Sequence, residues 1–171
     1  MDAPMKWNVL DWIDTETEGR YDVTPLFANP QVYNAILEDL CQPLLGLDID
    51  FVMGIDALGF ILGTSISHAL QCGFVPLRKG GKLPGPCLTQ TFVDYTKQCK
   101  ALEIRKGVLQ PGMQVILVDE WVETGAQMEA AIKLVESQGA RVLHLVSLHV
   151  DENPKTRQLD SDYGFISLKS V

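Results

Sequence analysis

The chain has 171 residues, of which 46% are hydrophobic and 21% charged, which suits one soluble domain with a sizeable core. Fourteen basic against twenty-two acidic side chains give a net charge of -8 with no basic stripe, which argues against nucleic acid as a partner. No apolar run of about 18 residues is present and Met1 to Gly19 lacks the pattern of a signal peptide, so no membrane partner is expected.

Residues 1–20 are mostly polar, with Trp7 and Trp12 as isolated anchors. Asn29 to Leu44 reads as a helix: Pro30 suits its first turn, and Val32, Ile36, Leu37 and Leu40 fall near helical spacing. Phe51 to Ile55 reads as a buried strand, Gly59 to Leu70 as a helix, and Phe74 to Leu77 as a second strand. Arg78 to Pro86 holds three glycines, two prolines and three cations, so it reads as a loop. Thr91 to Tyr95 and Leu102 to Arg105 suit a hairpin over it, and Gln110-Pro111-Gly112 is a turn. Val115 to Val118 is a third buried strand, with Asp119 and Glu120 at its carboxyl end. Thr124 to Gln138 reads as a helix closed by Gly139. Val142 to Val150 and Tyr163 to Leu168 are the last strands expected.

Strands alternating with helices imply an α/β fold whose central parallel sheet is covered on both faces. Ligands of such folds sit beyond the carboxyl ends of the strands. Three segments there, Asp56 to Gly59, Arg78 to Pro86 and Asp119 to Gln127, are expected to converge on one cleft. Cys41, Cys72, Cys87 and Cys99 are widely spaced with no Cys-x-x-Cys pair, and read as free thiols in a cytoplasmic protein. His68, His144 and His149 have no evident catalytic partner and read as structural.

The segment Val115 to Met128 has the build of a ribose 5-phosphate site. Two adjacent carboxylates can accept hydrogen bonds from two ribose hydroxyls. Backbone N–H groups at the start of the following helix can hold a phosphate. A plainer reading stands beside it, in which Asp119 and Glu120 are a solvated strand end and Thr124 an N-cap. Spacing alone leaves both open.

This segment resembles the signature of type I phosphoribosyltransferases: an apolar strand, two acids, two apolar residues, then Ala-Thr-Gly-Gly-Thr. Arg78-Lys-Gly-Gly-Lys-Leu-Pro-Gly85 is similar to the Arg-Lys-x-Gly-Lys-Leu-Pro-Gly of adenine phosphoribosyltransferases. Gly54 to Phe60 resembles their Gly-Leu-Asp-Ser-Arg-Gly-Phe, Asp22 to Leu26 their Asp-Ile-Ser/Thr-Pro-Leu, and Asp94-Tyr95 their catalytic Glu-Tyr. The resemblance implies a type I phosphoribosyltransferase-like domain over residues 1–171, with a small N-terminal hood up to residue 45 or so. It implies purine salvage: adenine and phosphoribosyl pyrophosphate give AMP and pyrophosphate, with Mg²⁺ on the pyrophosphate. It also implies a homodimer, because the segment from Phe60 onward and the pyrophosphate loop need a neighbour to cover their apolar residues.

Carried over by position, Asp94 stands as the catalytic residue. Asp119 and Glu120 hold the ribose, and Glu123, Thr124, Gly125, Ala126 and Gln127 form the phosphate loop. Asp56, Ala57, Leu58, Arg78 and Lys82 face pyrophosphate, and Arg20 and Tyr21 face the base. Several of these depart from the family. Leu58 replaces an arginine, which removes a bidentate phosphate donor. Gln127 replaces a phosphate-binding hydroxyl, Ala126 adds a Cβ, and Glu123 sets an anion beside an anion site. Arg20 replaces a base-stacking aromatic, with Tyr21 next to it as a substitute. Asp94 is a methylene shorter than glutamate. These changes imply a weakened transferase. Two alternatives follow: an inactive nucleotide- or partner-binding paralogue, or a phosphoribosyltransferase for another base.

Overall fold

The structure, a computed structural model, describes residues 9–14 and 21–168; Trp7 and Arg20 lie outside the described residues. A 3₁₀ turn at Val9–Trp12 leads, past a bridge between Asp14 and Asp22, to helices α1 (Thr24–Ala28) and α2 (Pro30–Cys41). There follow β1 (Phe51–Ile55), α3 (Leu58–Leu70), β2 (Gly73–Lys79), β3 (Cys87–Val93) and β4 (Cys99–Arg105). The chain continues through β5 (Gln114–Val122), α4 (Ala126–Glu136), β6 (Arg141–Val150), α5 (Pro154–Tyr163) and β7 (Phe165–Ser167).

The strands form one seven-stranded sheet in the order β3-β4-β2-β1-β5-β6-β7. It is parallel from β2 through β7, and the β3–β4 hairpin joins antiparallel at the end of β2, where Arg78 faces Glu103. The sheet is doubly covered, as the alternation of elements predicts. Successive residues of a strand point to opposite faces. Met53 and Leu117 therefore enter a core with Met128 and Val135 of α4, while Val52, Ile116 and Val118 enter another with Ile36 of α2 and Leu62 of α3. The helix expected over residues 29–44 forms as α2 up to Cys41, followed by a 3₁₀ turn at Gln42–Leu44; Asn29 caps its start, its side chain accepting from the N–H groups of Gln31 and Val32.

Four sequence expectations need correction. Asp119 and Glu120 do not follow a strand; they lie inside β5, because β6 is long enough to pair Asp119 with Ser147 and Trp121 with His149. Helix α4 starts at Ala126 rather than Thr124, since Gly125 takes a left-handed φ of 78° that an L-residue rarely adopts. Both hairpin strands start earlier than expected, because exposed polar residues such as Thr89 and Lys100 pair within them, and β3 ends at Val93, leaving Asp94 and Tyr95 in the turn. Helices α1 and α5 were not anticipated. In α5 only Thr156 and Leu159 are buried, so the apolar stripe is too thin to read, and the Asn153 capping box with Pro154 is the usable signal.

One close approach sets the geometry of the site. A Cβ on Gly59 would stand 2.6 Å from the carbonyl oxygen of Val118 and 3.2 Å from Cα of Asp119. The start of α3 thus lies directly on β5 where the acid pair begins.

Candidate active site

A cleft of about 1550 Å³ opens at the carboxyl ends of the parallel strands. Asp56, Ala57 and Leu58 line it after β1; Asp119 through Gly125 and Gln127 line it from β5 into α4. Tyr21 comes from the N-terminal segment, and Asp94 and Tyr95 from the hairpin tip. Two of the three expected segments therefore meet there, all but Gly59 of the first and Ala126 of the second lining the cleft. The third meets in part: Lys79 and Gly80 line the cleft, whereas Arg78 reaches it through Asp56, its Nε donating to Asp56 Oδ2 at 3.0 Å. Lys82 is exposed in its loop, and neither it nor Ala126, the first residue of α4, lines the cleft.

Asp119 is 4% exposed. Its Oδ1 accepts the Glu120 N–H at 3.0 Å and its Oδ2 accepts from Gln127 Nε2 at 2.9 Å. Burial, and then the adjacent Glu120 carboxylate, push the Asp119 carboxyl well above its ordinary range. A carboxyl raised in the folded state favours folding most in acid, and that favour is lost as pH rises through the folded value. Asp119→Asn is therefore expected to melt higher than wild type at neutral pH, with the advantage shrinking toward 3.8, the ordinary carboxyl value. The amide can still meet Glu120 and a rotated Gln127 amide. Melting curves across pH check this; a variant less stable than wild type at neutral pH contradicts it.

At the turn before α4, Thr124 Oγ1 accepts the Ala126 N–H at 3.3 Å, while Gly125 takes the N-cap position itself. The Glu123 carbonyl accepts from Asn153 Nδ2 at 2.8 Å, which ties the loop to the start of α5. At the hairpin tip, Asp94 Oδ1 accepts from the Thr96 hydroxyl (2.6 Å), the Thr96 N–H (2.9 Å) and the Gln98 N–H (3.0 Å). The Thr96 hydroxyl foremost, then the two amides and Lys100, hold the Asp94 carboxyl below its ordinary value. Asp94 is thus engaged in its own turn.

At the other end of the cleft three rings stack in sequence. Tyr21 lies 4.8 Å from Trp121, and Trp121 lies 4.3 Å from His149 at 30°. Trp121 Nε1 donates to Asp151 Oδ1 at 3.1 Å, and His149 Nε2 is 3.3 Å from the same oxygen. The indole is held by the stacked His149 ring and at its N–H, and the Tyr21 ring meets it at a tilt of 38°. Sequence reasoning missed Trp121, Asp151 and Asn153. Trp121 was in view as an apolar position of the signature, and its aromatic character was the signal.

A sheet-end cleft in which paired acids lead into a Thr-Gly turn and a helix suits the phosphoribosyl transferase class, and the phosphoribosyl transferase domain model matches residues 23–171. The adenine phosphoribosyltransferase of Roseobacter denitrificans is 42% identical over 123 residues, covering 71% of this chain and 69% of that protein. The chain belongs to the adenine phosphoribosyltransferase family. Its fold matches that of the Saccharomyces cerevisiae enzyme complexed with adenine and an iminoaltritol bisphosphate, with a TM-score of 0.80, 28% identity, and 94% and 96% of the two chains covered. The APRTase of Giardia lamblia complexed with 9-deazaadenine gives a TM-score of 0.85 at 29% identity, with 94% of each chain covered. Among the described residues no helix is long and apolar enough to cross a membrane.

Proposed function

We propose that this chain transfers ribose 5-phosphate from phosphoribosyl pyrophosphate to adenine, giving AMP and pyrophosphate in purine salvage. The observation that carries this is the junction of the acid pair with the Thr124–Gly125 turn in one cleft with an aromatic stack. In this reading the bond from the sugar C1 to pyrophosphate breaks, a bond to the base nitrogen forms, and the base loses one proton. The transition state is oxocarbenium-like, so the protein mainly positions its ligands and stabilises charge.

Glu120, with Asp119 behind it, takes the ribose hydroxyls; Thr124, Gly125 and the first N–H groups of α4 take the 5-phosphate. Asp56, Ala57 and Arg78 face the pyrophosphate, with Lys82 able to reach in from its loop; Leu58 adds no donor there. Mg²⁺ arrives on the pyrophosphate, whose hard oxygens suit it. The base sits against Trp121 once Tyr21 moves aside. Asp94 acts on the base proton only after leaving its turn, and this sets a rate below that of a glutamate held free. The chain works as one unit over residues 1–171, with the N-terminal segment closing over the base. It works in the cytoplasm, as a homodimer that covers exposed Ile61 of α3.

A nucleotide-formation assay with phosphoribosyl pyrophosphate, Mg²⁺ and a purine panel tests the reading. AMP from adenine at the highest kcat/KM of the panel is the expected result. Preference for another purine moves the specificity, and no nucleotide from any base refutes the transferase.

A further inference from the structure

We infer that Gln127 is a positioning residue that withholds Asp119 from the sugar, leaving Glu120 as the acid that meets the ribose hydroxyls. The inference rests on the transferase reading for the place of the sugar. It departs from the expectation that Gln127 stands in for a phosphate-binding hydroxyl.

The argument is one of hydrogen-bond capacity and access. Gln127 is on the first turn of α4, yet its amide points back to β5 and donates to Asp119 Oδ2 at 2.9 Å. The other carboxyl oxygen, Oδ1, is taken by the Glu120 N–H at 3.0 Å. From the opposite side, the backbone of Gly59 lies against Cα of Asp119. Both acids line the cleft, but Asp119 is left 4% exposed whereas Glu120 is only half-buried. A carboxylate oxygen has room for more than one donor. Access is the limit, because a ribose hydroxyl approaching Oδ2 must first displace the Gln127 amide. A shorter side chain at this position cannot reach Asp119, and would leave that oxygen open to the cleft.

The same contact links the two halves of the site. The second residue of α4 is tied to the strand carrying the sugar acids, so any ligand that engages Asp119 Oδ2 must also move a side chain of the helix's first turn. Sugar binding and phosphate-loop order are thereby coupled through one side chain.

Titration calorimetry on the full chain tests this, with ribose 5-phosphate and, separately, inorganic phosphate as the probes. Gln127→Ala and the near-isosteric Gln127→Met, which keeps the volume and loses the donor, are the variants. Either is expected to tighten ribose 5-phosphate by about three- to tenfold, the range of one net hydrogen bond, and to leave inorganic phosphate unchanged. In an Asp119→Asn background the gain should vanish, as a double-mutant cycle requires of two residues in contact. Unchanged or weaker ribose 5-phosphate binding in both variants overturns the inference. So does an equal gain for inorganic phosphate, which would place Gln127 at the phosphate, or a gain that survives in the Asp119→Asn background. Because the readout is binding, a failed nucleotide-formation assay would refute the transferase and leave this result standing on its own.

Discussion

Alanine in place of Gly59 is expected to lower the melting temperature by roughly 5–10 °C, from an overpacking penalty of about 2–3 kcal/mol in a chain of this size. The added Cβ would lie 2.6 Å from the Val118 carbonyl oxygen. That neighbour is backbone of a strand paired on both sides, to β1 and to β6, so it cannot yield without breaking ladder hydrogen bonds. Whatever shifts also carries Asp119, so ribose 5-phosphate binding should weaken together with stability. Gly63 provides the contrast. Its added Cβ would meet Phe74 Cε2 at 2.9 Å, the far end of a side chain that can turn, and alanine adds helix propensity worth up to about 1 kcal/mol. Gly63→Ala should therefore stay much closer to wild type. Thermal unfolding of both variants decides the matter: if they melt alike, the contact of α3 with β5 is not the constraint described here.

Replacing Glu123 by alanine should tighten phosphate-bearing ligands by roughly tenfold at low salt. Two like charges about 5 Å apart at an effective dielectric of about 20 repel by roughly 3 kcal/mol, and partial solvation reduces this. Glu123 lines the cleft beside Thr124 and Gly125, and its backbone is anchored by Asn153, so it remains at the phosphate turn whatever its side chain does. Glu123→Gln, which keeps the shape and loses the charge, should recover most of the gain. The gain should shrink as salt rises, because the Debye length falls from about 30 Å at 0.01 M to about 10 Å at 0.1 M. Calorimetric titration of AMP at two salt concentrations checks it. Equal affinities for wild type and both variants at low salt would show that the carboxylate stays clear of the phosphate.

Both substitutions act on a cleft whose groups already have partners inside the protein. Asp94 is engaged by Thr96 and Gln98, Asp119 by Gln127, Arg78 by Asp56, and Trp121 by Tyr21 and His149. A ligand must exchange these contacts for its own, so its net gain per contact is smaller than the contact alone suggests. The sequence departures lead to the expectation of a weakened transferase, and this exchange of contacts would be its physical form.

The sequence by itself determined the type and order of all the strands and of helices α2, α3 and α4, and the convergence of the segments after β1 and β5. Short apolar runs between turn residues and a helix start marked by Asn29-Pro30 are local signals, and the order of strands and helices restricts the sheet to few arrangements. It also marked Asp119, Glu120, Thr124 and Gly125 as one unit, because a strand end, two acids and a turn need only neighbouring residues. Only the tertiary structure decided where side chains turn. Gln127 reads in sequence as a phosphate-loop position that has lost a hydroxyl, and in the structure it bonds a strand acid, since its side chain turns back from the start of α4 to β5. Trp121 reads as an apolar position and becomes the centre of a ring stack, since β6 sets His149 beside it and the N-terminal segment brings Tyr21 over it. Such contacts join residues dozens of positions apart, and no local propensity encodes them; they follow from strand register and from where α3 and α4 settle on the sheet.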